Sequence, residues 1–372
     1  MKKTIGVVAR EYNGNTARFG AQTTFLEDMV RESQNLPIEL VVFSPYTWQP
    51  GGFEINGYSF RDGDWIANRQ TMPNLLYYRF ISRTNEKRYI KDFQCFLRQN
   101  NFDLLSPFEL VYLLQNKIRF YNFLIENHIP TIQSVLIKDA SEEVVESFLT
   151  YSNCIYIKPI WGQRGKGIAI VKQRECNQDS LDLMTESCTK IPRKDLLETL
   201  KTKFNLNYFL LQPKAKVVEL DSSHFDVRII VQNSGNANYQ VTGMGVRIGS
   251  KKSWITNISG DAKAVSIYEL REFYQKNYGK SIDSEIVIIT DICLECCHKL
   301  HAKFGNFAEI GFDILLTLDK GPVVLEANSQ PGRKIFKAIA SLYEENSAEF
   351  LRYKELRRTS IRLPLIFALN NR

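Results

Sequence analysis

The sequence lacks the features that mark exported, membrane-spanning or disulfide-rich proteins. Its seven cysteines are odd in number and irregularly spaced, a pattern that argues against a disulfide framework and favours a reducing cytoplasm. No window reaches the roughly 18 apolar residues that a membrane span requires. Residues 1–10 contain an apolar run of about five residues with no cleavage site of small residues after it, so they do not predict export.

The sequence also offers little for covalent or zinc-dependent catalysis. It has four histidines, and no Ser–His–Asp order stands out. The stretch Cys293-x-x-Cys296-Cys297-His298-x-x-His301 resembles a metal cluster, but its spacing is helical and it lacks the second cysteine pair of a structural zinc site. We therefore favour a buried helix in which the small thiols are core residues.

A mild positive charge is spread over the whole chain. The 372 residues, of which 44% are hydrophobic and 24% charged, are typical of a soluble globular protein with two or three domains. The net charge is +7. Nucleic-acid binding would gather the basic residues on one face with aromatic residues between them, whereas here they occur along the entire sequence. A basic surface with a local anion pocket is the better interpretation, and nucleic acid is not an expected partner.

Hydrophobic patterns predict three units, at residues 1–110, 111–205 and 206–372. The first unit begins with a strand, a helix and a strand in about 40 residues, which indicates a parallel α/β arrangement. Its predicted elements are strand 4–9, helix 18–35, strand 38–43, a small hairpin between turns at 50–52 and 61–64, strand 74–80 and helices 85–100 and 107–127.

The second and third units are predicted to be mixed α+β structures. In the second, we expect strands at 134–137, 154–160 and 168–172, a helix at 142–149 and a polar, helical insert at 175–205. In the third, we expect antiparallel strands at 208–215, 225–232, 239–249 and 253–258, helices at 266–277 and 285–303, a hairpin at 309–332 and a last helix from 334 to about 358.

The predicted hairpin at 309–332 carries Asp313, Glu326 and Asn328 within two apolar strands. Charged groups in a strand core cost several kcal/mol unless they are paired or bind a metal. Side chains alternate along a strand, so Glu326 and Asn328 share a face, and a two-residue turn at Asp319-Lys320 would place Asp313 opposite Glu326. Hard oxygen ligands of this kind suit Mg²⁺ or Mn²⁺, and Mg²⁺ usually binds together with phosphate.

A glycine-rich loop follows the strand that ends at Lys158 and leads directly into another strand. The loop contains Gly162, Arg164, Gly165, Lys166 and Gly167. Glycines let backbone N–H groups approach an anion closely, and the basic side chains add charge. The loop is not a Walker motif, in which Gly-Lys-Ser/Thr opens a helix. We interpret it as a flap over phosphates; a plain glycine-rich turn is the alternative.

A second set of polar residues lies on predicted antiparallel strands. Asp226 and Arg228 are two residues apart and share a face. Arg247 and Asn257 lie on adjacent strands, and a three-residue loop at 250–252 would place them on one face as well. Two arginines on a sheet face fit a concave site for carboxylate or phosphate. Structural Asp–Arg ion pairs are the alternative.

The order of these motifs resembles that of the ATP-grasp superfamily, and the hairpin ending is close to its Glu-x-Asn-x-x-Pro-Gly signature. The matching motifs are Asn116-Lys117, Ile157-Lys158-Pro159 with the glycine loop, Asp226-x-Arg228, Arg247, Asn257 and Asp313…Glu326-Ala-Asn328-x-x-Pro331-Gly332. More narrowly, the chain resembles the YheC/YheD family of spore-coat-associated ATP-grasp proteins. The shared pieces include Phe19-Gly20-x-Gln22, Pro73-Asn-Leu-Leu-Tyr-Tyr-Arg79, Gly243-x-Gly-Val-Arg247 and Thr256-Asn-Ile-Ser259.

The resemblance implies an α/β and α+β protein in which two α+β subdomains clasp ATP, preceded by an N-terminal α/β domain. It also implies a role for each motif. Nucleotide contacts fall to Lys117, Lys158, the glycine loop and the backbone of Leu211-Gln212. The metal ligands, usually serving two Mg²⁺, are Asp313, Glu326 and Asn328. The γ-phosphate and the acyl phosphate match Arg228 and Arg247, with Asn257 as a third catalytic candidate.

The activity implied by the resemblance is that of an ATP-dependent carboxylate–amine ligase. A substrate carboxylate attacks the γ-phosphate, and the resulting acyl phosphate reacts with an amine to form an amide. The expected substrates are amino acids or peptides, and the expected location is the cytoplasm. A non-catalytic spore-coat scaffold and phosphotransfer to an alcohol remain open alternatives, as do spore association and homo-oligomer formation.

Overall fold

Three sheets of six strands each form the framework of the protein. The computed structural model describes residues 2–12, 18–82, 86–162, 167–174, 177–249 and 263–370. Within this part of the chain, no helix has the length and apolar character needed to cross a bilayer. The helices are α1 (Thr23–Ser33), α2 (Lys87–Gln99), α3 (Phe108–Gln115), α4 (Lys117–Glu126), α5 (Glu142–Ser152), α6 (Leu196–Lys203), α7 (Ile267–Tyr278), α8 (Asp283–Phe304), α9 (Lys334–Ala340) and α10 (Ala348–Asn370).

The first sheet forms the N-terminal α/β unit. Its spatial order is β4 (Asp64–Thr71), β3 (Glu54–Arg61), β2 (Ile38–Phe43), β1 (Lys3–Val8), β5 (Leu75–Tyr78) and β6 (Asp103–Leu104). The last four strands are parallel, and β3 and β4 are an antiparallel hairpin. Helices α1 and α10 cover one face and α2 the other, so the apolar strand β1 is buried on both sides. The predicted strand–helix–strand unit and hairpin are confirmed.

The second sheet is antiparallel and presents one polar face. Its order is β11 (Cys188–Pro192), β10 (Asn177–Met184), β9 (Ala169–Arg174), β8 (Cys154–Pro159), β12 (Phe209–Pro213) and β7 (Val135–Leu136). Helices α5 and α6 pack on the face that carries Ile155 and Ile157. Because side chains alternate along β8, Tyr156 and Lys158 point to the opposite face.

The prediction of a helical insert at 175–205 is wrong over most of its length. Strands β10 and β11 form a hairpin there, and helical structure in the described part of the segment is confined to a short 3-10 turn at Arg193–Asp195 and to α6. Leu181 and Leu183 are buried in the core shared with α5, and this two-residue period is that of a strand. The polar residues before and between these leucines make the segment resemble a solvent-facing insert, which concealed the alternation.

The third sheet is also antiparallel and carries most of the candidate residues. Its order is β16 (Lys263–Val265), β15 (Tyr239–Ile248), β14 (Ser223–Asn233), β17 (Glu309–Thr317) and β18 (Gly321–Asn328), with β13 (Glu219–Leu220) beside β14. One face packs against α3, α4, α7 and α8 in the largest core. The predicted strand at 253–258 lies outside the described residues.

Helix α8 accounts for the cysteine-rich stretch. Cys293, Cys296 and Cys297 are fully buried, and burial raises the pKa of the Cys293 and Cys297 thiols well above the ordinary value. Across the described residues, no group of three or more His, Cys, Asp or Glu side chains could hold a metal ion. The helical structure and the burial of the three thiols confirm the prediction of a buried helix.

Two predicted helices are each divided in the structure. The segment 107–127 breaks at Asn116, which is extended and caps α4 by accepting a hydrogen bond from the Arg119 N–H at 3.1 Å. The predicted last helix, 334–358, consists of α9 and the start of α10. Helix α10 then continues to Asn370, because Ile361 and Leu365 pack into the core of the first sheet.

Candidate functional site

The hairpin of β17 and β18 brings Asp313 and Glu326 opposite each other, as predicted. The turn itself differs from the prediction. Thr317 pairs with Gly321, so the turn has three residues rather than two, and Leu325 is an extra residue in β18. This bulge offsets the longer turn and restores the register at Asp313. Bulges of this kind are common next to functional sites because they re-aim a side chain.

A chain of alternating charges crosses the face of the third sheet opposite its main core, a face that α9 and α10 partly cover. Asp226 pairs with Arg247 on β15, and Arg228 pairs with Asp313 on β17. Arg247 Nε donates to Asp226 Oδ1 at 2.6 Å, and its Nη2 lies 2.9 Å from Asp313 Oδ2. Arg228 donates to both oxygens of Asp313. The Asp–Arg ion pairs considered as an alternative are therefore present, and they are linked through Asp313.

The ion pairs keep Asp313 ionised although it is buried. Burial alone would raise the pKa of Asp313, but the charges of Arg228 and Arg247 hold it below the ordinary value. Glu326 differs from it, since 46% of its side chain is exposed. The hairpin thus pairs an arginine-bound carboxylate, Asp313, with an accessible carboxylate, Glu326, directly opposite it.

Two lysines face these carboxylates from the other side of the site. Lys117, the first residue of α4, has its Nζ 3.9 Å from Glu326 Oε1 and donates to the Gly162 carbonyl at 2.8 Å. Lys158 Nζ donates to Gln212 Oε1 at 2.6 Å. Burial lowers the pKa of Lys158 to about 8; the charge of Glu326 opposes this shift and that of Lys117 adds to it. The polar faces of the second and third sheets therefore interact electrostatically.

The segment predicted to meet the adenine lies on β12, between β7 and β8. The Leu211 side chain is fully buried in the core of the second sheet, so only its backbone is available for recognition. Gln212 is held from both ends, because it accepts from Lys158 and its Nε2 donates to Ser134 Oγ at 2.9 Å.

Part of the predicted flap can be located. Gly162 and Gly167 have φ values of +135° and +73°, a backbone region that glycine adopts without the steric cost of a Cβ. The candidates Arg164, Gly165, Lys166 and Asn257 lie outside the described residues.

A buried network at the start of β17 was not assigned a role from the sequence. Glu309 is fully buried and accepts hydrogen bonds from two arginines, Arg79 and Arg333, and from Tyr77 and Gln232. Burial would raise its pKa, but the arginine charges keep it below the ordinary value. Arg79 belongs to the motif Pro73–Arg79, which can be read from the sequence. The sequence does not indicate that Glu309 is the partner of Arg79.

The loop after β18 is fastened to the first sheet. Gln330 N donates to Asn328 Oδ1 at 2.8 Å, and Gln330 Nε2 donates to the Tyr78 carbonyl at 3.0 Å. The Pro331 carbonyl accepts from both Arg79 and Arg333. The N-terminal unit is thereby held against the hairpin that carries Asp313 and Glu326.

The family profile described as "YheC/D like ATP-grasp" matches residues 110–356, which include the hairpin, both lysines and the charged face. The chain belongs to this ATP-grasp family. It is 22% identical over 324 residues to the endospore coat-associated protein YheC of Bacillus subtilis (strain 168), covering 84% of this chain and 86% of that protein. It is 25% identical over 329 residues to YheD of the same organism, covering 82% and 68%.

Solved structures show the same ATP-grasp fold. The ATP-grasp ligase PsnB, solved with a phosphomimetic variant of its minimal precursor, Mg and ADP, aligns with a TM-score of 0.52 at 13% identity, covering 98% of this chain and 99% of that one. D-alanyl-alanine synthetase A from Vibrio cholerae O1 biovar eltor str. N16961 aligns with a TM-score of 0.50 at 11% identity, covering 97% and 98%. In this chain an α/β unit precedes the ATP-grasp part, as expected.

The donor atoms of the ATP-grasp hairpin fit a hard divalent cation. Asp313 and Glu326 are opposite each other, and Asn328, two residues beyond Glu326, lies opposite Gly311 on the same face. Two carboxylates and an amide oxygen are ligands that Mg²⁺ accepts, with phosphate oxygens and water completing the shell. The hydrogen bond from Gln330 N orients the Asn328 amide oxygen at this position.

Proposed function

We propose that this protein is an ATP-dependent carboxylate–amine ligase that forms an amide bond through an acyl phosphate and releases ADP and phosphate. The observation that carries the proposal is the opposition of Asp313 and Glu326 across the hairpin, with Lys117 and Lys158 facing Glu326. Converging carboxylates opposite lysines form a site for a cation together with a polyanion.

In this proposal, the residues of the second unit hold the nucleotide. Lys117 and Lys158 bind the phosphates, and Gln212 and the Leu211 backbone lie at the adenine end. The loop residues Gly162, Arg164, Gly165, Lys166 and Gly167 cover the phosphates and limit access of water. The lowered pKa of Lys158 fits this role, since an incoming polyanion adds negative charge that favours its ammonium form.

The third unit would hold Mg²⁺, or Mn²⁺, through Asp313, Glu326 and Asn328. The bound cation would neutralise charge on the phosphate oxygens during transfer. Arg228, Arg247 and Asn257 are the proposed catalytic residues. The arginines stabilise the γ-phosphoryl group while the substrate carboxylate oxygen forms a bond to phosphorus and the bond to ADP breaks. An amine then attacks the acyl carbon, loses a proton and displaces phosphate.

We also propose a division into units at residues 1–110, 111–205 and 206–372. The three separate sheets support this division. Helices α3 and α4 are shared between units, because Leu114 and Phe120 pack into the core of the third sheet. Lys117 therefore lies on a helix that rests on the third unit, while Lys158 belongs to the second.

The proposed substrates are amino acids or peptides in the cytoplasm. The complex of PsnB with a precursor variant supports a peptide, and the names of the two coat-associated relatives support a location at the spore. A scaffold without catalysis is the competing function. The ordered charged face favours the ligase, since a scaffold has no need for carboxylates that converge beside lysines.

The experiment measures ADP release from Mg–ATP in the presence of panels of amino acids and short peptides. We expect amine-dependent ADP release, its loss in Lys158→Ala and Glu326→Ala, and wild-type rates in Lys172→Ala, which alters an exposed lysine of the same sheet. Calorimetry of Mg–ATP binding separates the alternatives, because a scaffold would produce no binding heat. ADP release that persists in both site variants would refute the assignment.

A further inference from the structure

Guanidinium groups contact both oxygens of Asp313. Arg228 binds both of them, and Arg247 binds Oδ2. A cation that uses Asp313 as a ligand must therefore compete with guanidinium groups for the same oxygens. Glu326 presents no such obstacle, because nearly half of its side chain is exposed. Guanidinium groups thus obstruct cation access to Asp313 and not to Glu326.

Arg247 is held by two carboxylates through different nitrogens. Its Nε donates to Asp226 at 2.6 Å, and its Nη2 contacts Asp313 at 2.9 Å. Asp226 is fully buried, lies on β14 between the strands that carry Arg247 and Asp313, and is no candidate metal ligand. When all four are ionised, the two aspartates and two arginines together carry no net charge.

We propose that Asp226 is a positioning residue that anchors Arg247 and so allows Asp313 to accept the cation. With Nε fastened to Asp226, only the Nη2 end of Arg247 has to leave Asp313 Oδ2 when a cation binds. That end is then available to a phosphate oxygen. This inference rests on the proposed function, since it assumes that Asp313 is a cation ligand.

The inference predicts opposite effects on cation affinity for the loss of Asp226 and the loss of Arg247. Without Asp226, Arg247 has Asp313 as its only described carboxylate partner and competes more strongly with the cation. Without Arg247, one competitor for Asp313 is absent and the cation binds more easily. Asp226→Asn should therefore weaken cation binding, whereas Arg247→Gln should tighten it, although both remove one member of the same ion pair.

The test is a Mn²⁺ titration without nucleotide, followed by electron paramagnetic resonance of the free ion. We expect Asp226→Asn to weaken binding about tenfold and Arg247→Gln to tighten it several-fold, consistent with the coupling of neighbouring charges. The double variant Asp226→Asn/Arg247→Gln keeps the interior neutral and should bind like Arg247→Gln alone. Asp182→Asn, in the separate Arg174–Asp182 pair at 3.0 Å, is the control and should bind like the wild type.

Several outcomes would overturn the inference. If Asp226→Asn weakens Mn²⁺ binding equally with and without Arg247, Asp226 acts by its own charge and not through Arg247. If Arg247→Gln weakens binding in the absence of nucleotide while the variant remains folded by circular dichroism, Arg247 does not compete for Asp313. The proposed function fails separately, if the wild type binds neither Mn²⁺ nor Mg–ATP or if Glu326→Ala leaves Mn²⁺ binding unchanged.

Discussion

Arg79 of the first sheet and Glu309 of the third form a buried ion pair across the boundary between their units, with Arg79 Nη1 3.1 Å from Glu309 Oε1. Arg333 binds the same carboxylate from the loop after the hairpin. One carboxylate thus faces two guanidinium groups, and the carbonyls of Pro331 and Ser360 accept further hydrogen bonds from the arginines. This excess of positive charge makes Glu309 the critical member of the network.

We predict that Glu309→Gln destabilises the protein more than Arg79→Gln. The first change leaves two buried guanidinium groups without a counter-charge, while the second leaves the balanced Arg333–Glu309 pair. Breaking a buried pair in this way costs about 3–5 kcal/mol. Urea unfolding monitored by fluorescence measures the difference in the free energy of unfolding.

A matched control for this prediction is Glu54→Gln. Glu54 pairs with Arg69 on the surface, where their side chains are 59% and 73% exposed, and loss of such a pair changes stability by at most about 1 kcal/mol. Equal losses for Glu309→Gln and Arg79→Gln would contradict the charge argument.

We predict that the affinity for ATP falls as the pH rises above about 8. Burial lowers the pKa of Lys158 to about 8, so the unliganded protein loses this ammonium above that pH, and binding a polyanion then requires uptake of a proton. The affinity should fall by up to about tenfold per pH unit in this range. Calorimetry at several pH values between ~7 and ~9 measures it.

The effect of pH on folding stability has the opposite sign to its effect on ATP affinity. The unfolded chain keeps the proton of Lys158 up to its ordinary pKa, whereas the folded chain releases it near pH 8, so this group makes stability rise with pH between those values. Lys158→Arg, which stays charged, should remove both dependences. An unchanged pH profile of ATP binding in this variant would rule out Lys158 as their source.

We predict that Gly321→Ala weakens the hairpin of β17 and β18 through its backbone alone. Gly321 has φ of +67°, and an added Cβ would meet no atom within 4 Å. A left-handed conformation costs an L-residue roughly 1–2 kcal/mol, which should appear as a lower melting temperature. Gly332→Ala is the control, because its Cβ also meets open space and its φ is outside the left-handed region. An equal change in both variants would contradict the prediction.

The sequence predicted most of the elements that have a clear period. Strand β2 was predicted with the bounds observed, and the pairing of Asp313 with Glu326 was correct. The structure reaches this pairing, however, through a different turn from the one predicted. The turn is one residue longer than predicted, and the bulge at Leu325 compensates for the extra residue. The alternation of apolar and polar residues along a strand reveals neither feature.

The missed features depend on distant parts of the chain. The role of Glu309 requires Arg79, Tyr77 and Arg333 to meet from separate segments, and no local pattern predicts such a meeting. The end of the last helix was predicted too early, because its apolar residues pack against the first sheet and not against their neighbours in sequence. The hairpin of β10 and β11 was concealed by polar residues that alternate with Leu181 and Leu183.

Part of the core of the first sheet comes from helix α10, close to the C-terminal end of the chain. Ile361, Leu365 and Phe367 pack with Ile5, Val7 and Leu26. During synthesis, the part of this apolar sheet face that α1 leaves uncovered therefore stays exposed until residues 361–368 have emerged from the ribosome. Residues 1–110 produced alone would keep that part exposed, and the α10 helix, supplied as a separate peptide or by fusion, would cover it.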